Sequence, residues 1–138
     1  MDYAEYRQKY FVNPPPEPRF RFAGLHGLAL FYEDYEQAID FYTSVLGPPA
    51  YVEGEGTKSW PIGDTWLTLL HGKDGNPTGV EVPFVTATPA EADRLQQAFI
   101  AAGGTGSEPI DTLMGEPIRY CPVTDPLGVE LLVYCPLG

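Results

Sequence analysis

Glu130 is the side chain whose setting says most about chemistry. It interrupts the apolar run Val129, Leu131, Leu132 and Val133, and in an extended segment it shares a face with Leu132 and Tyr134. A carboxylate buried there needs a cation or a proton to meet it; otherwise that face is open to water. His26 lies among small and apolar residues and has two readings. Its ring is satisfied by a carbonyl inside a core, or it is a ligand turned by strand parity the same way as Leu28 and Leu30. Glu81 shares a face with Pro83 and Val85, opposite Val80, Val82 and Phe84; on these residues alone it reads as a solvated charge at a strand start. Trp60 and Trp66 can wall a pocket or fill a core, and Tyr120 and Tyr134 can donate hydrogen bonds or act as acids. His71 falls out of phase with Trp66, Thr68 and Leu70 and is expected to be exposed. No Gly-rich phosphate loop or Cys-x-x-Cys pair accompanies these groups, and Ser44, Ser59 and Ser107 lack the setting of a nucleophile.

The elements that must position these residues occur twice. From Phe20 the pattern is extended and apolar on both faces: Phe20, Phe22, Gly24, His26, Leu28 and Leu30 on one, Ala23, Leu25, Ala29 and Phe31 on the other. A helix follows, with Asp34 as N-cap, a stripe of Ala38, Phe41, Tyr42, Val45 and Leu46, and a stop at Gly47-Pro48-Pro49. Three short strands are expected near residues 50–53, 57–62 and 65–70. After the linker Gly72 to Pro77, Val80 to Thr86 reads as a strand. Thr88, Pro89 and Glu91 form the start of a capped helix with Ala92, Leu95, Phe99 and Ala102 on its stripe. Strands near 106–110, 118–123 and 129–135 complete the second set. The two helix caps are 54 residues apart, the signature of an internal repeat. Ahead of both, Tyr3, Tyr6 and Tyr10 recur at helical spacing, with Phe11 widening the stripe, and Pro14 to Pro18 impose a stiff extended link.

Composition narrows the partners. A formal charge of −11 would repel nucleic-acid backbones and anionic membranes, and favours cationic or metal-bearing ligands. The start of the chain lacks the basic and apolar stretches of a signal peptide, and no apolar run nears the roughly 20 residues that span a bilayer, so a cytoplasmic location is expected. Cys121 and Cys135 flank the turn Asp125-Pro126-Leu127-Gly128. A hairpin closed there sets Cys121 opposite residues near Leu132, and Cys135 near Ile118. The sulfurs are then out of register for the Cα separation of roughly 5–6 Å that a disulfide needs, so free buried thiols are expected.

Three segments carry a family resemblance: Leu25-His26-Gly27-Leu28-Ala29-Leu30, the run Asp34 to Gly47 with Ala38-Ile39-Asp40-Phe41-Tyr42 and Val45-Leu46-Gly47, and Asp125-Pro126-Leu127-Gly128-Val129-Glu130-Leu131. The chain resembles the vicinal oxygen chelate superfamily, the group of glyoxalases, bleomycin-resistance proteins and extradiol dioxygenases. The resemblance implies an α+β fold of two βαβββ modules whose curled mixed sheets surround a pocket. It divides the chain into an N-terminal arm, 1–19, and a domain, 20–138, with module one at 20–72 and module two at 79–136. Carried over by position, the family's metal ligands fall on His26, Glu81 and Glu130. The spacing from His26 to Asp34 is one residue longer than the family's, so a bulge must absorb it, and Trp66 takes the first-module counterpart of Glu130.

Such a site implies a divalent metal (Zn, Mn, Fe or Ni) and a small substrate chelated through neighbouring oxygens. Lyase, isomerase, dioxygenase or transferase chemistry would follow, with Glu130 as the catalytic carboxylate and Trp60, Trp66, Tyr120 and Tyr134 against the substrate. The alternative is a metal-free protein that binds and sequesters a small molecule, in the manner of the bleomycin-resistance members; acidity and tryptophans then suit a cationic aromatic compound. A homodimer is implied in either case.

Overall fold

Two sheets, each begun by a strand and a helix, follow the duplicated pattern. A computed structural model describes residues 1–138. After helix α1 (Tyr3–Tyr10), module one holds β1 (Gly27–Tyr32), α2 (Tyr35–Leu46), β2 (Tyr51–Val52), β3 (Thr57–Ile62) and β4 (Thr65–His71). Module two holds β5 (Glu81–Val85), α3 (Pro89–Ala101), β6 (Thr105–Gly106), β7 (Ile110–Leu113), β8 (Pro117–Thr124) and β9 (Glu130–Pro136). Spatial order is β1-β4-β3-β2 in the first sheet and β5-β9-β8-β6 in the second, where β7 also pairs with β8. Pro109, which has no amide N–H to donate, lies between β6 and β7 and leaves the second module's outer strand in two pieces. In both modules the first strand runs parallel to the last, the crossover that a helix connection produces. This is the expected α+β fold of paired βαβββ units.

The first strand is shorter than its apolar pattern suggests. It begins at Gly27, not Phe20, because Gly27 pairs with Trp66 near the start of β4 and residues further back run past the end of the sheet. Phe20, Phe22 and Leu25, expected to be covered on both sides, are instead 73%, 77% and 85% exposed. Helix α1 buries no residue; it is held by Tyr6 Oη, which accepts from Gly115 N at 2.7 Å, and by Tyr3 Oη, which donates to Gly115 O at 3.4 Å. Thr88 caps α3 as expected, its hydroxyl accepting from Glu91 N at 3.1 Å. Asp34 does not cap α2 through its side chain. Its carboxylate accepts from Asn76 Nδ2 at 2.8 Å and its N–H donates to Asn76 Oδ1 at 3.0 Å, which pins the inter-module linker to the helix start.

Both helices lie on the same side and meet each other. Phe41 of α2 stacks on Phe99 of α3 at 5.6 Å, and Phe84 of β5 reaches the same ring at 5.5 Å. Full burial of one such ring contributes about 2–3 kcal/mol, so a continuous cluster spanning both modules joins them into one body. Cys121 and Cys135 belong to that cluster as free thiols. Their cross-strand partners are Val133 and Arg119, one residue from the sequence expectation, and still out of register with each other.

At the seam sits Asp125, only 4% exposed. Its Oδ1 accepts from Leu127 N at 2.8 Å and Val129 N at 3.0 Å, closing the β8–β9 turn. Its Oδ2 accepts from Tyr32 Oη at 2.6 Å and Tyr42 Oη at 2.8 Å, both from module one. Each hydroxyl has one proton, so with both given to the carboxylate the 3.1 Å Tyr32–Tyr42 approach is contact, not a third bond. Asp125→Asn puts an NH₂ among four donors. The expected cost is about 3 kcal/mol in urea unfolding, against about 1 kcal/mol for Tyr32→Phe, which removes only one donor.

Burial, reinforced by Asp125, raises the Tyr32 and Tyr42 hydroxyls far above the usual phenol range. Burial and then the hydrogen bond to Asp93 push the Cys121 thiol up to about 12. All three keep their protons when folded, whereas in the unfolded chain thiols ionise near about 8.5 and phenols near about 10. The unfolded state therefore binds fewer protons at alkaline pH, and stability falls as pH rises through that range. Unfolding midpoints measured from pH 7 to 11 should decline, with neither thiol reacting with iodoacetamide until the chain unfolds.

Candidate functional site

The edge strands β1 and β5 flank one cleft, and strand alternation decides which side chains reach it. In β5, Val82 and Phe84 turn into the core with α3, which leaves Glu81, Pro83 and Val85 on the opposite, open face. Across the ladder Glu81 pairs with Glu130, Pro83 with Leu132 and Val85 with Tyr134; Tyr134 in turn pairs with Tyr120. In module one Leu30, Leu67 and Leu69 are buried, so Gly27, Ala29, Trp66, Thr68 and Ser59 lie on the open face.

Three hollows lie along these strands, and the first reaches past the strand edges to the core-side residues Val82 and Phe84. One of about 240 Å³ lies between the modules, against Leu25, Gly27, Ile62, Trp66, Glu81 and Phe84. A second, of about 360 Å³, is bounded by His26, Tyr51, Ser59, Trp66 and Thr68. A third, of about 310 Å³, carries the hydroxyls of Thr105, Ser107, Tyr120 and Thr124 beside Glu130. Trp66 borders the first two. Glu81 and Glu130 sit on neighbouring strands, about 4.8 Å apart at the backbone, and neither forms an ion pair. Burial and then the negative charge of Glu81 and Glu130 raise the Tyr120 hydroxyl above its usual value, which puts all three in one electrostatic neighbourhood.

The residues singled out by sequence separate into two groups. Glu81, Glu130, Tyr120, Tyr134 and Trp66 share the open face. Trp60 does not; it is 2% exposed, and its indole N–H donates to Gly47 O at 2.7 Å, so it is a core residue that fixes the end of α2. His71 is exposed, as expected, and stacks on Tyr35 at 5.5 Å. His26 lines the second hollow, away from the two glutamates, so the expected triad of His26, Glu81 and Glu130 is not assembled. No group of three or more His, Cys, Asp or Glu side chains is placed to hold a metal ion.

The reason is register. Gly27 precedes Asp34 by seven residues, as Glu81 precedes Thr88, so Gly27, not His26, is the module-one counterpart of Glu81. The extra residue is not absorbed by a bulge, since β1 pairs without a break from Gly27 to Tyr32. The parity argument for His26 fails too: Leu30 faces the helix side, not the cleft. A Cβ on Gly27 would stand 1.8 Å from Trp66 O, so no larger residue fits this backbone. Gly27 and Trp66, the paired positions opposite Glu81 and Glu130, thus offer no side-chain donor to a metal, and the residues present do not fit a divalent ion. Gly27 is the site residue that sequence reasoning missed, and the 54-residue offset already in hand would have found it.

Comparison with known proteins agrees with this architecture. The model of the Glyoxalase/Bleomycin resistance protein/Dioxygenase superfamily matches residues 24–133. No curated protein matches the chain. Among solved structures, a glyoxalase/bleomycin resistance protein/dioxygenase family enzyme from Burkholderia phytofirmans PsJN is similar at TM-score 0.68 and 18% identity, covering 83% of this chain and 100% of that one. A lactoylglutathione lyase from Agrobacterium tumefaciens gives TM-score 0.62 and 19% identity over 82% and 93% of the two chains. A virulence protein from Salmonella typhimurium gives 0.64 and 22% over 86% and 100%. At these identities the structural likeness speaks for the fold alone. With its family model matched across nearly the whole of both modules, this chain belongs to the glyoxalase/bleomycin resistance protein/dioxygenase superfamily.

Proposed function

We propose that this protein binds a cationic, aromatic small molecule in the inter-module cleft, without a metal ion, and that it does so as a homodimer. The observation that carries the reading is the convergence of one indole, Trp66, and the carboxylate of Glu81 on a single apolar cleft, with Glu130 beside Glu81. An aromatic ring against Trp66 buries its faces, and a positive charge gains both from the indole quadrupole and from two carboxylates that lack a counter-ion. Apolar walls from Leu25, Ile62 and Phe84 favour a flat hydrocarbon body over a sugar or phosphate. In this reading Glu130 is a counter-charge for the ligand rather than a base, and Tyr120 and Tyr134 supply hydroxyls at the rim.

Fluorescence provides the test, because the two tryptophans differ in access. A cationic aromatic dye should quench Trp66 and leave the buried Trp60 emission, and Trp66→Ala should abolish the response. Glu81→Gln with Glu130→Gln should weaken binding about tenfold, and added salt should weaken binding to the wild-type protein more than to this variant. Chelator should change nothing. Equal binding of an anionic aromatic compound, or loss of binding in chelator, would count decisively against this function.

A further inference from the structure

The second hollow, on module one, is walled unlike the other two. Register sets its floor: Tyr51 pairs with Ser59 and Ser59 with Thr68, so these three project from one face of β2, β3 and β4. Alternation adds Thr57, two residues before Ser59, and Trp66, two residues before Thr68. Tyr51 and Trp66 therefore rise from strands with β3 between them, about 10 Å apart. Both border the hollow of about 360 Å³, and His26 is the third aromatic residue around it.

The floor is polar, yet its two central hydroxyls face each other. Ser59, 3% exposed, and Thr68 share a hydrogen bond of 2.7 Å. No carboxylate, side-chain amide or guanidinium lines the hollow. Lys58 alternates to the helix side, where its ammonium lies 5.9 Å from the Tyr35 ring. At the outer edge the Tyr51 hydroxyl donates to Glu53 at 2.6 Å, and a proton shared with a carboxylate leaves more electron density on the ring. These features select among ligands. A phosphate would need a cation. A sugar would need more free partners than Thr57 and the one uncommitted proton of the Ser59–Thr68 pair provide. A primary ammonium would arrive with three N–H groups to satisfy. An ammonium whose hydrogens are replaced by methyl groups asks for none, and it gains from each ring face that it touches. The formal charge of −11 favours such a cation over an anion.

We propose that the module-one hollow is a second ligand site, an aromatic box of Tyr51, Trp66 and His26 that takes a methylated ammonium group. Trp66 then serves two sites, since it borders the inter-module cleft as well. The second site stands apart from the cleft reading: it uses no residue of module two and needs no flat ring in its ligand.

Choline is the probe, followed by proton NMR of its methyl signal. The wild-type chain should move that signal upfield, as aromatic ring currents do, and the shift should saturate. The neutral isostere of choline, with a tert-butyl group in place of trimethylammonium, should bind about tenfold more weakly. Tyr51→Ala should weaken choline binding about tenfold, and Tyr51→Phe, which restores the ring, should recover most of it. Tyr51 is 47% exposed on the two-residue edge strand β2, so its replacement should leave the circular dichroism spectrum unchanged. Absence of a saturable shift, equal binding of the isostere, or wild-type binding by Tyr51→Ala overturns the proposal. Dye quenching is read separately. A chain that binds choline and ignores the dye keeps this site and loses the cleft reading; the converse result removes this site alone.

Discussion

Asp125 holds together parts of the chain that no local rule would bring near one another. Its carboxylate leaves water almost completely, which is tolerable only because four donors replace the hydration it loses. The two oxygens have separate tasks. Oδ1 binds backbone amides two and four residues ahead and so shapes the turn into β9; Oδ2 binds hydroxyls from β1 and α2 across the module seam. Glu130 is the first residue of β9 after that turn, and its pairing with Glu81 follows from where the turn ends. The geometry of the acidic pair is therefore set by a buried charge on the far side of the sheet, one that never faces the cleft.

Much of this architecture is legible in the sequence because it rests on local signals. The repeat, both helices, the Gly47 stop of the first, the Thr88 cap of the second and the pairing of Cys121 and Cys135 with other residues follow from periodicity and turn chemistry. What escapes are facts decided by tertiary contact. The apolar alternation of Phe20 to Leu25 is a strand pattern with no strand to pair, because the parallel neighbour β4 begins only at Thr65, next to the Trp66 that pairs with Gly27. Trp60 and Trp66 look interchangeable as residues, yet alternation in adjacent strands sends one into the core and the other to the cleft. Asp125 reads as an ordinary turn former, and only the two tyrosines from 83 and 93 residues away show that it is a buried anchor.

The site illustrates how sensitive such reasoning is to a single position. Parity with Leu28 and Leu30 pointed His26 toward a cavity, but those residues share the face that packs on α2. A one-residue shift in a strand reverses every side chain, so an error of one in register exchanges cleft for core. The duplication supplies an internal ruler: positions 54 residues apart should be structurally alike, and Gly27 with Glu81, like Asp34 with Thr88, obey it.

Once aligned on that ruler, the two modules are chemically unlike at the place where they meet. Module two supplies a pair of carboxylates, Glu81 and Glu130; module one supplies a glycine and an indole, Gly27 and Trp66. The glycine is required by the backbone, since Trp66 O occupies the space a side chain would need. That close approach brings the two strands together beside the indole, which is the only aromatic ring among the module-one residues that line the cleft. A dication needs several lone pairs directed at one point, and this arrangement provides them from one side only. A singly charged, flat organic cation needs less: negative potential on one flank and a π face on the other. In the proposed reading the duplicated scaffold takes such a cation because two positions in one half, Gly27 and Trp66, carry no metal donor.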